Sequence, residues 1–393
     1  MYPFKRLILG GASSIFGFEE IKSIFKDARK DVCFIETPEM MQYNNVNDEC
    51  IMMQDFCSME EGDLFIPLNE FWLTYGHTHK FEKICERAYC ASRSKRYLSA
   101  LMMHSGISYC NWLTLSEAIQ RIEIGKKILI KPDSYYSGHG VKIVQKANAD
   151  RIEKYFKDAN ELDSRAERVL NIERGKAEIW EYISGEEYSA DVFLCNGHLY
   201  VMRVCKKKIV VINDTPCVLA YVMIPVSDEL YAVIKTWTDI LFDTEDVSFG
   251  QFDFIERESG AGYVPIDFSC RIGGGLENLL MKCKDNVYGA ALKMLLGEDS
   301  QNIYPDTGLY QFNILPTKCG EIFSDPYFLE IEDAIVIKNE RKRISRIGGS
   351  ANDRLGCVIG ENYTEELFHS VSEKLLIGDN CIREISRNRS LVD

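Results

Sequence analysis

Short apolar runs alternate with amphipathic segments along the first 93 residues. The runs LILG, DVCFIET and GDLFIPL predict β-strands, and FEEIKSIFKDA has the apolar spacing of a helix. Strands that alternate with helices are typical of a parallel sheet covered by helices. We therefore predict a small parallel α/β domain over residues 1–93.

The rest of the chain has a different order of predicted helices and strands. Residues 93–125 are helix-rich, and residues 177–208 predict three strands with turns at Ser184-Gly185 and Asn196-Gly197. A helix is predicted over residues 226–244, and the sequence from about residue 300 is again mixed. At 393 residues the chain exceeds the size of one growing core, so two or three domains are expected.

The stretch ILIKPDSYYSGHGVKIV, residues 128–144, predicts two strands around a polar loop. One interpretation is an ordinary hairpin. The other is a flap over phosphates, because glycines let backbone N–H groups approach an anion and Lys131 supplies a positive charge at the strand end. Gly10-Gly11 raises a similar choice, between a phosphate-binding turn and a plain strand-to-helix turn. The plain turn is favoured because the G-x-G-x-x-G spacing is absent.

Two carboxylates fall within apolar strands that flank the turn ESGAGY. Asp253 lies in QFDFI, and Asp267 lies in VPIDFSCRI together with Ser269 and Arg271. A hairpin would bring both aspartates to one side, where their oxygens suit Mg²⁺. The alternative, solvated acids on an exposed face, fits these apolar surroundings poorly, since an unpaired buried carboxylate is costly.

Composition narrows the function classes. The formal net charge is −14, which disfavours nucleic acid and anionic membranes as partners. The 14 cysteines include no C-x-x-C pair and the histidines no zinc-type spacing, so reduced thiols and a cytoplasmic location are expected. No apolar run approaches the ~20 residues that a membrane-spanning helix needs.

Four segments, taken in order, resemble the ATP-grasp superfamily, most closely over residues 94–280. They are SKRYLSALMMHSGI, ILIKPDSYYSGHGVKIV, EYISGEEYSADV and FDFIE…YVPIDFSCRIGGG. The resemblance implies an α/β (α+β) fold with an N-terminal Rossmann-like parallel domain over residues 1–93. It also implies a central ATP-grasp domain over 94–300, with a flap-bearing subdomain at about 122–185, and a C-terminal β-rich domain over 301–393.

The resemblance also implies roles for individual residues. Those expected to bind ATP are Lys95, Lys131 and Lys206 near the phosphates, the flap residues Ser137, Gly138, His139 and Gly140, the adenine-binding Glu181, Tyr182 and Ile183, and the ribose ligand Glu187. Those expected to hold one or two Mg²⁺ ions are Asp253, Asp267 and Ser269. Those expected to act on the substrate are Arg271 and Arg203 as catalytic residues and Glu70, Gly273 and Gly274 as substrate contacts. Arg354 is either a packing residue or a further substrate contact.

Such a site implies a ligase that joins a carboxylate to an amine through an acyl phosphate and releases ADP and phosphate. The expected partners are ATP, a small carboxylate such as an amino acid, and an amine; a homodimer is a further expectation. Two alternatives stay open: a carboxylase of the same fold, or a nucleotide-binding protein of weak activity. The second follows from Asp267-Phe268-Ser269, which stands where the superfamily usually has Glu-x-Asn.

Overall fold

The N-terminal residues form a four-stranded parallel sheet, as the sequence predicted. In this computed structural model the strand order is β3-β2-β1-β4, and every pair in it is parallel. The strands are β1 (Arg6–Gly10), β2 (Asp31–Glu36), β3 (Ile51–Met53) and β4 (Asp63–Pro67). The helices around them are α1 (Phe18–Asp27), α2 (Pro38–Asn44) and α3 (Glu70–His79).

The structure describes residues 2–44, 46–134, 140–160, 176–258, 260, 262–298, 307–327, 331, 333–339, 342–345, 347–348 and 353–384. Within these ranges no helix is both long and apolar enough to cross a lipid bilayer.

A second, antiparallel sheet contains the strand with Lys131. Two helices precede it, α4 (Glu86–Arg93) and α5 (Lys95–His104). Its strand order is β5-β8-β6-β7, and helices α6 and α7 share an apolar core with it. These elements are β5 (Trp112–Leu113), α6 (Leu115–Glu123), β6 (Ile128–Pro132), β7 (Lys142–Val144), α7 (Ile152–Asn160) and β8 (Ala177–Glu181). We call this unit the flap sheet.

The largest sheet has nine strands and runs without interruption into the C-terminal residues. Eight of them follow the order β13-β12-β9-β10-β11-β14-β18-β16, and β19 pairs with β14. The central elements are β9 (Gly185–Cys195), β10 (His198–Ile212), β11 (Thr215–Met223), α8 (Asp228–Leu241), β12 (Val247–Arg257), β13 (Tyr263–Ser269), α9 (Glu277–Leu280) and α10 (Val287–Leu292).

The C-terminal elements continue this sheet and add a small one. A separate three-stranded sheet has the order β17-β15-β20. The elements are β14 (Tyr310–Pro316), β15 (Gly320–Ile322), β16 (Ile335–Lys338), β17 (Arg343–Ile344), β18 (Gly356–Gly360), α11 (Glu365–Val371), β19 (Leu376–Ile377) and β20 (Ile382–Arg383).

One face of the nine-stranded sheet changes from apolar to polar along its strands. On β9, Phe193 and Cys195 pack in the same core as the N-terminal sheet, whereas Ser189 and Asp191 are buried polar residues on the same face. On β12, Phe249 joins that core and Asp253 follows it four residues later. The apolar half therefore binds the N-terminal unit, and the polar half is left to form the floor of a cavity.

Candidate functional site

A cavity of about 570 Å³ lies over the polar half of the central sheet. Its walls come from the start of α3, from the flap sheet, from strands β9 to β13, and from the C-terminal residues around Arg354. The site residues predicted from the sequence that line it are Glu70, Lys95, Lys131, Glu181, Tyr182, Ile183, Glu187, Arg203, Asp253, Asp267, Ser269, Arg271 and Gly274. The structure thus brings together residues that are up to about 200 positions apart in the chain, from Glu70 to Gly274.

The two aspartates face each other directly across a strand pair. In the antiparallel ladder of β12 and β13, Asp253 is opposite Asp267 and Gln251 is opposite Ser269. Residues that are directly opposite project from the same face of a sheet. Four oxygen-bearing side chains therefore form a compact group, and Gln251 is a member that the sequence analysis missed.

This group suits a magnesium ion that is shared with a nucleotide. Among the described residues, no three His, Cys, Asp or Glu side chains are grouped as a metal site. Mg²⁺ commonly uses only one or two carboxylates and takes its other oxygens from phosphates and water. Asp253 and Asp267 supply two carboxylates, and Gln251 and Ser269 add neutral oxygens, so the donor set fits the ion.

Two lysines predicted to contact phosphates lie beside Asp267. Lys95 is the first residue of α5, and its Nζ lies 3.3 Å from Asp267 Oδ1. The Lys131 Nζ donates to the Ile266 carbonyl oxygen at 3.4 Å and lies 4.7 Å from the centre of the Trp180 ring. Lys131 and Ile266 are 135 positions apart in the sequence, so this contact joins the flap sheet to the strand that carries Asp267.

Only part of the loop expected to cover the phosphates lies within the described residues. Ser137, Gly138 and His139 lie outside the described residues. Gly140 leads into β7 with a φ of 72°, a left-handed conformation that glycine adopts without steric cost. Strands β6 and β7 pair in an antiparallel ladder, which confirms the two predicted strands. The choice between an ordinary hairpin and a flap over phosphates stays open.

The segment predicted to bind adenine lines the apolar end of the cavity. Ile183 lies there with Leu129 and Phe268. The Glu181 carboxylate is already engaged, because it accepts hydrogen bonds from Arg121 at 2.9 Å and from the Asn111 side chain at 2.6 Å. These bonds lower the pKa of Glu181 even though burial acts in the opposite direction. The Glu181 side chain therefore stabilises the cavity wall. What this segment can offer a ligand is its backbone N–H and C=O groups.

Glu187, the predicted ribose ligand, shares a lysine with Asp253. The Lys207 Nζ lies 2.7 Å from Glu187 Oε1 and 2.9 Å from Asp253 Oδ1. Burial lowers the pKa of Lys207, but the carboxylates of Asp253 and Glu187 outweigh burial and raise it. The charged lysine therefore holds both carboxylates on the cavity floor.

Lys206, which the sequence analysis placed near the phosphates, is not among the described residues that line the cavity. Its Nζ pairs with the Glu186 carboxylate. The reason is a bulge in β10 between Val201 and Arg203, which shifts the alternation of side chains by one residue. Lys207 consequently takes the cavity side, and Lys206 takes the other.

Arg271 is held by the first residue of α3. Its Nε donates to Glu70 Oε1 at 2.9 Å, and its NH1 donates to Gln251 Oε1 at 2.9 Å. The other oxygen of Glu70 accepts from Arg93 at 2.7 Å. Burial raises the pKa of the Glu70 carboxyl, but Arg271 and Arg93 outweigh burial, and the pKa lies below its ordinary value. Glu70 thus orients Arg271, and its role as a substrate contact stays a prediction.

Arg203 forms a fully buried ion pair. Its Nε donates to Asp191 Oδ2 at 2.8 Å, and Asp191 Oδ1 accepts from the Gly273 backbone N–H at 3.1 Å. Burial raises the pKa of Asp191. The Gly273 N–H is therefore occupied by Asp191. Gly274 lines the cavity, and a Cβ at this position would meet no atom within 4 Å.

The glycine turn after β1 is satisfied from within the chain. The fully buried Glu36 accepts hydrogen bonds from the Ser13 hydroxyl at 2.6 Å, from Asn69 at 3.1 Å and from Trp72 Nε1 at 2.9 Å. The Ser13 backbone N–H also points to this carboxylate, at 3.4 Å. The Gly11 N–H donates to the Ile35 carbonyl oxygen at 2.9 Å. The donors of this turn are therefore used within the chain, which supports the plain-turn interpretation.

Comparisons with known proteins identify the fold. No family model and no curated protein sequence matches the chain. Solved structures of ATP-grasp enzymes do match it along nearly its whole length, so the chain has the ATP-grasp fold, as the sequence predicted.

Three of these structures, all of low sequence identity to this chain, have different activities in their names. L-amino acid ligase from Bacillus licheniformis has a TM-score of 0.61 at 13% identity, over 99% of this chain and 100% of that chain. N5-carboxyaminoimidazole synthetase from Staphylococcus aureus, complexed with ADP, has a TM-score of 0.60 at 11% identity, over 95% and 97%. The biotin carboxylase domain of 2-oxoglutarate carboxylase from Hydrogenobacter thermophilus, with MgADP and bicarbonate, has a TM-score of 0.56 at 15% identity, over 92% and 87%.

Proposed function

We propose that the protein is an ATP-dependent ligase that joins a carboxylate to an amine. The observation that carries this proposal is the convergence of Lys131, Asp253 and Asp267 on one cavity. An anion with several charged oxygens, together with a divalent cation, satisfies all three side chains. A nucleoside triphosphate with Mg²⁺ has this chemistry.

The first step of the proposed reaction activates the carboxylate. A carboxylate oxygen of the substrate attacks the γ-phosphorus of ATP, the bond from that phosphorus to the bridging oxygen breaks, and ADP leaves. Lys95 and Lys131 bind phosphate oxygens, and Arg271 neutralises charge on the transferred group. Mg²⁺, when bound by Asp253 and Asp267, would offset the charge of the phosphates.

The second step forms the new bond. The amine nitrogen attacks the carbonyl carbon of the acyl phosphate, the carbon–oxygen bond to phosphate breaks, and phosphate leaves as the nitrogen loses a proton. The protein's contribution is to hold both substrates in line and to exclude water. No covalent link between protein and substrate is required.

The reaction can be tested by measuring phosphate release from ATP and Mg²⁺ with amino acids offered singly and in pairs, and with bicarbonate. Release that requires a pair supports a ligase. Release that requires bicarbonate refutes the ligase in favour of the carboxylase alternative, and release with no substrate combination favours the nucleotide-binding alternative.

A matched pair of variants ties any activity to the cavity. Asp267→Asn removes one proposed metal ligand while it keeps the size of the side chain, and Asp55→Asn makes the same change on an exposed loop. We expect phosphate release to be lost in Asp267→Asn and kept in Asp55→Asn. Equal activity in the two variants would refute the metal assignment.

A further inference from the structure

One buried arginine of the cavity differs from the others in its partners. Arg93 and Arg271 both pair with Glu70, and Arg203 pairs with Asp191. Arg354 is only 7% exposed, yet among the described residues no carboxylate pairs with it. Its NH1 donates to the Asn313 side-chain oxygen at 2.9 Å, and its NH2 donates to the Gly275 carbonyl oxygen at 3.0 Å.

Both of these acceptors are neutral, so the charge of Arg354 is not compensated by them. Removing a guanidinium from water is costly unless an anion is close. The two bonds also use only two of the five N–H groups of a guanidinium. Within the part of the chain that the structure describes, the others have no acceptor, and the side chain lines the cavity.

The acceptors of Arg354 are themselves fixed, so its orientation is built in. Asn313 is 1% exposed and donates to the Val218 carbonyl oxygen at 2.8 Å. Gln311 donates both to Asn313 and to the Gly275 carbonyl oxygen, at 3.0 and 3.1 Å. A buried network whose members are all bonded holds a side chain in one direction.

The place of Arg354 in the fold separates it from the proposed phosphoryl site. Its partner Asn313 is on β14, and the sheet order from the metal strands is β12-β9-β10-β11-β14. Adjacent strands are about 4.8 Å apart, so Asn313 lies several strands from Asp253. The bond to the Gly275 carbonyl oxygen brings the guanidinium back to the segment after β13, next to Gly274, which lines the cavity. In the proposed reaction the carboxylate that attacks ATP lies near Asp253, so a second anionic group is the candidate ligand of Arg354.

The surroundings of Arg354 indicate the rest of the ligand. Tyr221 lies opposite Gln311 in the ladder of β11 and β14, and Leu276 follows Gly275, so both are close to Arg354 and both line the cavity. Burial raises the pKa of Tyr221, so its phenol stays protonated and can donate a hydrogen bond. This end therefore suits a small molecule with an apolar body and an anionic terminus.

On the basis of the function proposed above, we propose that Arg354 binds the anionic terminus of the amine co-substrate and thereby selects an amino acid over an uncharged amine. The nucleophilic nitrogen then points from Arg354 towards the acyl phosphate. Arg354 acts in this scheme as a specificity-determining residue and takes no part in bond breaking.

The test compares each active amine with its own carboxamide, for example glycine with glycinamide, as the second substrate in the phosphate-release assay. The carboxamide keeps the amine and the size of the molecule but lacks the negative charge. In the wild type we expect the KM of the carboxamide to be about 10–100-fold higher than the KM of the amino acid, because the carboxamide cannot form the charge-assisted hydrogen bonds. We expect little change in kcat.

Variants then assign the preference to one side chain. In Arg354→Gln the KM of the amino acid should rise to the value of the carboxamide, and the KM of the carboxamide should stay unchanged. Arg354→Lys should restore part of the difference in KM between amino acid and carboxamide. Arg343→Gln, an exposed change in the same region, should match the wild type. If Arg354→Gln does not fold, Arg354→Lys keeps the positive charge for the assignment, and the wild-type comparison of acid and carboxamide still shows whether the carboxylate of the amine is recognised.

Each outcome has one meaning. Equal KM values for amino acid and carboxamide in the wild type overturn the role of Arg354 but leave the ligase function intact. If Arg354→Gln instead changes the KM of an acyl donor that carries a second carboxylate, so that aspartate is affected and asparagine is not, the assignment to the amine is overturned. Absence of phosphate release with every pair overturns the proposed function and this assignment with it.

Discussion

The replacement Glu70→Gln removes a buried negative charge that pairs with two largely buried arginines, Arg93 and Arg271. The Glu70 side chain is 8% exposed, and those of Arg93 and Arg271 are 20% and 12% exposed, so solvent screens these pairs little. Breaking a buried pair by removing one partner typically costs about 3–5 kcal/mol. An unfolding entropy of about 2.1 cal/mol/K per residue, over 393 residues, converts this cost to a decrease in Tm of about 4–6 °C.

The cost should depend on pH in a definite direction. The pKa of Glu70 is lowered in the folded protein because Arg271 and Arg93 outweigh the effect of burial. A carboxyl with a lowered pKa stabilises the folded state above its unfolded pKa, about 4.3, and this contribution is lost as the pH falls through the folded value. The gap in stability between wild type and Glu70→Gln should therefore be constant near neutral pH and shrink below about pH 4.3.

The assay is thermal unfolding followed by circular dichroism at several pH values. Glu61→Gln is the matched control, because Glu61 is an exposed residue of a turn in the same N-terminal unit. We expect Glu61→Gln to unfold at the wild-type temperature. If Glu70→Gln does the same at pH 7, the carboxylate does not hold the two arginines and the reasoning about this corner of the cavity is wrong.

Two further predictions concern Glu36, for which the sequence predicted no role, and Lys207, which lies beside the predicted Lys206. Glu36→Ala should lower the free energy of unfolding by about 3–5 kcal/mol, because the donors of Ser13, Asn69 and Trp72 lose a buried acceptor. Urea denaturation measures this, and a loss below about 1 kcal/mol would contradict it. Lys207→Ala should weaken nucleotide binding far more than Lys206→Ala, since only Lys207 contacts Asp253; calorimetric titration with ADP and Mg²⁺ compares them, and the reverse order would refute the placement of these lysines.

The sequence predicted the parts of the fold that depend on local pattern. Strands β2 and β4 and helix α1 follow from apolar spacing, and the pairing of Asp253 with Asp267 follows from two strands joined by a short turn. These features depend on residues that are close in the chain. Periodicity and turn residues report such features directly.

The remaining features depend on contacts between distant residues. The bulge in β10 changes which of Lys206 and Lys207 faces the cavity, and no residue in the sequence predicts the bulge. Gln251 was within reach of the sequence, because it is two residues before Asp253 on one strand and so shares its face. The bonds of Glu70 to Arg93 and Arg271, and the pairing of β11 with β14, join segments that only the folded chain brings together. The domain boundaries and the homodimer stay predictions.

The central claim is that the cavity binds a nucleotide through a metal held by Asp253 and Asp267. The most direct measurement is calorimetric titration of wild type, Asp253→Asn and Asp267→Asn with ADP, in the presence of Mg²⁺ and in its absence. We predict that Mg²⁺ strengthens binding to the wild type and that each variant loses this enhancement while it still folds. Binding that is indifferent to Mg²⁺ in the wild type, or an enhancement that survives in both variants, would contradict the claim.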